Sequence, residues 1–352
     1  MTMRALTVRP LMPNSAAVVE VPDPDEADGS ILCETIAVGV DGTDNEIVEG
    51  KYGEPPAGRQ ELILGHESLG RVLEAPPGSG FAPGDLVVGV VRRPDPFPCE
   101  SCAVGEWDMC RNGLYTERGI KGRDGYISER FRIEPEFAVK ADPALGRLGV
   151  LTEPSSVVAK AWEHVERIGS RARWEPRRAL VTGAGPLGLL GALFGMQRAL
   201  DVHVLDVVAT GPKPDLVNKL GATYHEGSVD AAGDGFDVVV ECTGVGPLVL
   251  HAIEHLAPDG VMCLTGISPA GRTAPTLDVD ALNKQMVLNN NVVFGSVNAG
   301  LRHYQQGALA LSRADRSWLE ALVTRWVPLE RWPEALERRE DDVKTVIEIV
   351  AA

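Results

Sequence analysis

Three of the six cysteines fall in one short run, Pro98-Cys99-Glu-Ser-Cys102-Ala-Val-Gly-Glu-Trp-Asp-Met-Cys110. A CxxC pair with a third cysteine close behind suits thiolate metal ligation better than disulfides, which a reducing compartment does not sustain. A second chemistry-bearing run is Arg178-Ala-Leu-Val-Thr-Gly183-Ala-Gly185-Pro186-Leu187-Gly188, a short apolar strand leading into GxGxxG and then a helical stretch. Gly183 permits the tight turn, Gly185 lets backbone approach a pyrophosphate, and Gly188 lets helix and strand pack closely, with the helix N-terminus facing the negative charge. An acid about 20 residues further on would complete a dinucleotide site. Asp206 stands there, in Val202-His-Val-Leu-Asp206-Val-Val. Its carboxylate would accept from the adenosine ribose hydroxyls and repel a 2′-phosphate. No arginine follows in Val207–Thr210, and Lys213 lies beyond a Gly-Pro turn, so NAD is expected in preference to NADP. The structural alternative for Asp206 is an N-cap or a surface carboxylate.

The elements that must position these groups fall into two textures. Residues 4 to 90 alternate short apolar runs (Ile31–Val40, Leu62–Leu64, Gly70–Glu74, Asp85–Val91) with Gly, Pro and Asp punctuation, the pattern of a β-barrel-like domain. Residues 92 to 125 lack periodicity and read as an inserted lobe or long loop. From Pro154 the chain alternates helical spacing (Val157–Ile168) with short strands at Ala179–Val181, His203–Asp206, Phe236–Cys242 and Gly260–Gly266. That alternation predicts an α/β doubly wound parallel sheet. Helical stretches around Ala308 and Trp318 and a last apolar run, Thr345–Val350, are expected to return to the first domain.

Composition narrows the class. At 352 residues, 44% apolar and 24% charged, the chain is an ordinary globular protein long enough for two domains. Its net charge of −16 disfavours nucleic acid and anionic membranes as partners. No apolar stretch followed by a small-residue cleavage site occupies Met1–Ala17, so a cytoplasmic protein is expected. The uncharged stretch Ala179–Met196 contains five glycines and a strand-turn-helix pattern, which rejects it as a membrane span.

Gly39-Val-Asp41-Gly-Thr43-Asp-Asn-Glu, Leu64-Gly65-His66-Glu67-Ser-Leu-Gly70 and Thr152-Glu153-Pro154, together with the GxGxxG, resemble the zinc-dependent medium-chain dehydrogenases. Within them the chain resembles the glucose (aldose) 1-dehydrogenase branch, through Tyr115-Thr-Glu117-Arg-Gly-Ile, Val91-Arg-Arg-Pro and Phe294-Gly-Ser-Val-Asn298. The resemblance spans nearly the whole chain. It implies a GroES-like catalytic domain over 1–153 and 299–352, carrying the lobe 92–125, and a Rossmann domain over 154–298. It makes Asp41, His66 and Glu67 catalytic zinc ligands, with Glu153 in the outer reach of the same site and Thr43 starting a proton relay. Most members have cysteine where Asp41 stands; a carboxylate is a harder but workable zinc ligand. A second possibility is that Glu67 ligates in only some catalytic states.

The same resemblance gives Glu117, Glu153, Asn298 and, more weakly, Asn289 to the sugar, and Thr243 and Asn298 to the dinucleotide. Val91 replaces an asparagine that holds sugar in some relatives, which leaves the epimer preference open. The lobe resembles a four-cysteine structural zinc site with one cysteine missing; Pro96 stands at that position, with Asp95 beside it as an oxygen donor. Zinc at Cys99, Cys102, Cys110 and Asp95 is expected, the alternative being free thiols. The implied activity is NAD-linked oxidation of an aldose at C1 to the lactone. A polyol or secondary alcohol dehydrogenase and a metal-free dinucleotide-binding protein are the alternatives. Relatives pair through an edge strand of the cofactor domain, for which Val261–Gly266 and Val292–Gly295 are candidates, so a homodimer or homotetramer is expected.

Overall fold

The computed structural model describes residues 1–268 and 278–350. Packing divides the chain into two units, Met1–Ser156 with Asn298–Ala352, and Val157–Val297.

The first unit is built on the strand Ile31–Val40, whose almost unbroken apolar run is buried along its length. Strands covered on both faces lose the alternation of half-buried ones. Glu67–Glu74 pairs antiparallel along one edge. The other edge is shared by Arg130–Ile133 and, against Ala37–Val40, by Lys344–Glu348. The last apolar run of the chain therefore returns to the first unit. Leu86–Gly89 and Ala138–Lys140 extend this sheet on one side and Val323–Pro328 on the other. A smaller sheet places Thr2–Val8 between Ala17–Pro22 and Leu62–Ile63.

Register does the positioning. Gly39 pairs with Glu67 and Val40 with Thr345, so Asp41, His66 and Lys344, distant in sequence, emerge at one rim of the sheet. Gly39 is required there: a Cβ on it would lie 1.9 Å from Glu67 Oε2 and 3.0 Å from Lys344 Cε.

The expected lobe contains more order than its composition implies. Arg92–Arg93, Thr116–Arg118 and Gly122–Arg123 form a small sheet, and Glu100–Ala103 is one helical turn between Cys99 and Cys110.

The second unit is a six-stranded, all-parallel sheet in the order Thr223–Glu226, Asp201–Asp206, Arg178–Thr182, Phe236–Glu241, Leu256–Leu264, Val292–Gly295. Numbered along this unit the order is 3-2-1-4-5-6, the Rossmann arrangement, whose ligand crevice opens where the order reverses. That point lies between Arg178–Thr182 and Phe236–Glu241, beyond whose carboxyl ends stand Gly183 and Thr243. Pro186–Gln197 has its first helical position at Pro186 and is buried on almost every side, so its Gly- and Leu-rich composition reflects enclosure and not a membrane. Among the described residues no helix is long and apolar enough to cross a membrane.

One expectation needs correction. Val261–Gly266 is not an edge: it lies in the strand Leu256–Leu264 and the turn after it, and that strand is paired on both sides, which leaves Val292–Gly295 as the edge. Thr223–Glu226 is a strand although Thr-Tyr-His-Glu carries no apolar alternation; as the other edge it is half exposed and needs none.

Candidate metal centre and dinucleotide motif

Asp41 caps the helix Gly42–Val48. Its Oδ1 accepts from the Thr43 amide at 2.8 Å and the Asp44 amide at 3.3 Å, while Asp44 Oδ2 accepts from the Asp41 amide at 3.1 Å. This reciprocal capping holds the carboxylate rigidly and commits one oxygen to backbone. The second oxygen, Oδ2, faces His66 Nε2 at 3.5 Å and accepts from Thr43 Oγ1 at 3.3 Å. On the other side of the imidazole, Nδ1 faces Asp44 Oδ1 at 3.7 Å, and both atoms are buried without a hydrogen bond. An imidazole with one nitrogen turned to a carboxylate and the other toward a second donor is the usual orientation of a metal-ligating histidine.

Donor atoms of Asp41, His66 and Glu67 all lie within 4.8 Å of one another, and Glu153 stands outside that trio. A tetrahedral zinc with bonds of about 2.0–2.1 Å spaces its ligands roughly 3.4 Å apart, so the Asp41–His66 pair fits the ion as it stands. Glu67 is held differently. Lys344 Nζ, buried, donates to Glu67 Oε1 at 2.6 Å and to the Val40 carbonyl at 2.9 Å. Glu67 is thus paired with Lys344 as well as lying among the three donors.

Electrostatics reflects the crowding. Burial would raise the Asp41 carboxyl, but the facing His66, with Lys344 and the Thr43 amide, holds it below the ordinary carboxylate range. Burial pushes Glu67 up against the opposing pull of Lys344. Burial also lifts Glu153 to about 8, with His66 opposing the rise and Glu67 and Asp41 adding to it.

A polar array continues from this centre within the same unit. Tyr304, buried beside Glu153, receives the Val91 amide on its hydroxyl at 3.1 Å. The next residue, Arg92, donates to Glu117 Oε1 from Nε at 3.1 Å and Nη2 at 3.0 Å, and Asn298 Nδ2 reaches the same oxygen at 2.8 Å. Glu117 and Asn298, 181 residues apart, are thus brought together. Asn298 sits at φ 60°, a left-handed conformation that asparagine tolerates. Asn289 belongs to the second unit. It caps the C-terminus of Val279–Leu288 just before Val292–Gly295, at the amino end of the sheet, whereas dinucleotides bind beyond the carboxyl ends. Its assignment to the substrate is withdrawn on that ground.

In the second unit Gly183 has φ 89°, and a Cβ on Gly188 would lie 1.7 Å from the Gly183 carbonyl oxygen. A Cβ on Gly185 would meet nothing, which leaves the space at the N-terminus of Pro186–Gln197 open. Asp206 ends its strand as expected, but its Oδ2 accepts from the Ala184 amide at 2.7 Å and pairs with Lys213 Nζ at 3.3 Å. Lys213 therefore returns to the acid; the Gly-Pro turn does not carry it away, because Pro212–Leu220 starts directly beside the strand end. Thr243 lies past the end of Phe236–Glu241, where its amide donates to the fully buried Glu241 at 2.7 Å.

In the lobe the sulfurs of Cys99, Cys102 and Cys110 lie within 4.8 Å of one another. The Arg111 amide, donating to Cys99 Sγ at 3.4 Å, lowers that thiol to about 6, whereas burial lifts Cys102 to about 11. Asp95 is outside the trio: one oxygen accepts from the Phe97 amide at 2.7 Å and the other is buried without a partner.

The chain matches the "Alcohol dehydrogenase GroES-like domain" family over residues 27–143 and the "Glucose dehydrogenase C-terminus" family over residues 146–349. It is 40% identical to glucose 1-dehydrogenase 2 of Vulcanisaeta moutnovskia, over 99% of each chain. The chain belongs to the glucose dehydrogenase branch of the zinc-dependent medium-chain dehydrogenases. It is an oxidoreductase of that family. Among solved structures, Haloferax mediterranei glucose dehydrogenase in complex with NADP, Zn and gluconolactone superposes with a TM-score of 0.90 at 33% identity, covering 99% of this chain and 100% of that one. The 2R,3R-butanediol dehydrogenase of Bacillus subtilis, at 20% identity and TM-score 0.80, shares the fold.

Sequence reading missed four residues of this member's site: Asp44, Arg92, Tyr304 and Lys344. Asp44 had a local signal, since Asp-x-x-Asp is a capping pattern. Lys344 had none, as its partner is 277 residues away.

Proposed function

We propose that this dehydrogenase oxidises the anomeric C1 hydroxyl of a glucose-like aldose to the lactone, with zinc held by Asp41 and His66 and, as the coordination changes, by Glu67 and Glu153. The observation that carries the reading is the convergence of the Asp41, His66 and Glu67 donors within 4.8 Å, in the unit that also joins Glu117 to Asn298. Zinc would supply Lewis acidity at the substrate oxygen, and a nicotinamide would accept the hydride from C1.

The chain's own residues do the rest. Asp44 orients His66, and helix capping fixes Asp41, so the donor pair is preorganised. Oxidation also releases the hydroxyl proton, and Thr43 Oγ1, 3.3 Å from Asp41 Oδ2, stands where it can pass that proton outward. Glu117 and Asn298 present an acceptor and a donor to sugar hydroxyls, and Arg92 fixes the direction of the Glu117 carboxylate. A site built to hydrogen-bond hydroxyls rejects analogues that lack them, because its buried groups are left unpaired.

NAD is the proposed dinucleotide, on Gly183, Gly185, Pro186, Leu187, Gly188 and Thr243, with Asp206 toward the ribose. Lys213 tempers the preference, since its ammonium offsets part of the repulsion that Asp206 would exert on a 2′-phosphate. A homodimer or homotetramer paired through Val292–Gly295, zinc in the cysteine lobe and a cytoplasmic location belong to the same reading.

A panel of aldoses and polyols read by absorbance at 340 nm tests it. Reduction of NAD⁺ by glucose or a near epimer is expected; turnover with polyols and none with any aldose would refute the sugar assignment.

A further inference from the structure

Outside the catalytic unit, a third cluster of metal-competent side chains lies in the unit that carries the nucleotide-binding sheet. Asp230 belongs to the short helical turn Val229–Ala232, while His251 sits in the last turn of the helix Gly246–Glu254 and His255 caps its C-terminus. The i, i+4 spacing of the two histidines places both imidazoles on one face, with ring centroids 5.0 Å apart. Asp230 Oδ1 approaches His251 Nε2 at 3.4 Å and His255 Nε2 at 3.7 Å. All three donor atoms lie within 4.8 Å of one another.

Two of the three donors are also turned the right way by a neighbour. His255 Nδ1 lies 3.0 Å from the Gly233 carbonyl and 2.8 Å from Asp234 Oδ1, two acceptors that hold the ring proton on Nδ1 and leave the Nε2 lone pair toward Asp230. His255 is 9% exposed at its side chain, so this orientation is fixed by packing. Ser228 Oγ donates to Asp230 Oδ2 at 2.9 Å, which leaves Oδ1 for the histidines. The 3.4 and 3.7 Å separations lie at or slightly above the roughly 3.3–3.4 Å spacing of ligands around a tetrahedral ion with bonds near 2.0–2.1 Å. Two imidazoles and one carboxylate suit a borderline transition ion such as Zn²⁺, Co²⁺ or Ni²⁺, while Ca²⁺ and Mg²⁺ favour oxygen donors.

We propose that Asp230, His251 and His255 form a further divalent transition-metal site, in which the ion clips the turn Val229–Ala232 to the end of the helix Gly246–Glu254. With three protein donors the fourth position falls to water, and the site is a stabilising clip on the nucleotide-binding unit. None of the three residues takes part in the proposed sugar chemistry, so the site stands or falls independently of that chemistry.

The test is a calorimetric titration with Ni²⁺ of full-length enzyme dialysed free of weakly held metal, its remaining zinc measured, alongside thermal unfolding with and without the ion. The wild type is expected to bind one further Ni²⁺ and to unfold at a higher temperature when it is present, because a ligand that binds only the folded state stabilises it. His251→Ala and Asp230→Asn, both at solvent-accessible positions, are each expected to weaken that binding at least tenfold and to abolish the thermal shift, with turnover unchanged. Absence of Ni²⁺ binding by the wild type, or an isotherm left intact by both substitutions, would overturn the site. Exchange of Ni²⁺ into the catalytic centre or the cysteine lobe would give the second of these results.

Discussion

Lys344 Nζ lies 2.6 Å from Glu67 Oε1 within the sheet that carries the metal centre, both side chains almost fully enclosed. The pair exists because the last strand of the chain returns against Ile31–Val40, and because Gly39 leaves the room that any side chain would fill. The ammonium opposes the burial that raises the Glu67 carboxyl.

Removing one partner of such a pair strands a buried charge. Lys344→Met is expected to destabilise the protein by about 3–5 kcal/mol, and Lys344→Met with Glu67→Gln to recover much of that loss. Urea unfolding of the single and double variants measures both. Equal stability of Lys344→Met and wild type would show that the pair is not maintained in solution.

Much of this architecture was legible in the chain, for identifiable reasons. Ile31–Val40 announces itself because a central strand is apolar throughout, and the GxGxxG is readable because each glycine answers a local steric demand. Glu117 and Asn298 were reached only through resemblance, since nothing between them shows that they meet. Asn289 was misplaced because a polar residue near the end of a helix carries no mark of which end of the sheet it faces. Lys213 was discounted on a Gly-Pro turn whose direction the sequence does not reveal. Long-range register decides such cases, and it is not local information.

The three glycines of the dinucleotide turn separate stability from binding. Gly188→Ala forces a methyl group onto the Gly183 carbonyl and is expected to cost about 1–3 kcal/mol of stability. Gly185→Ala meets no protein atom, so it is expected to leave the unfolding midpoint in place and weaken dinucleotide binding at least tenfold by occupying the pyrophosphate space. Thermal unfolding and fluorescence titration with NADH distinguish the two; a Gly185→Ala protein that binds NADH normally would contradict the assignment.

Cofactor choice is expected to hinge on Lys213. Lys213→Ala leaves Asp206 uncompensated, so the ratio of kcat/KM for NADP to that for NAD is expected to fall about tenfold, equivalent to ~1.4 kcal/mol. An unchanged ratio would mean that the Lys213–Asp206 pair does not face the ribose.

Glu117→Gln keeps the shape of the side chain and removes its charge. A hydrogen bond to a charged group contributes about 1.5–3 kcal/mol, so kcat/KM for the sugar is expected to fall roughly 10–100-fold with NAD affinity unaltered. Steady-state kinetics in both substrates checks this, and a matching loss in NAD binding would point to a general disturbance of the fold.

The proposed chemistry rests on an ion shared by Asp41 and His66. Its most direct test is turnover against measured metal content in a single preparation, before chelation, after exhaustive dialysis against EDTA, and after Zn²⁺ is restored. Activity is expected to fall with zinc and to return with it in wild type but not in Asp41→Ala; full turnover by metal-free enzyme would show that no ion at Asp41 and His66 takes part.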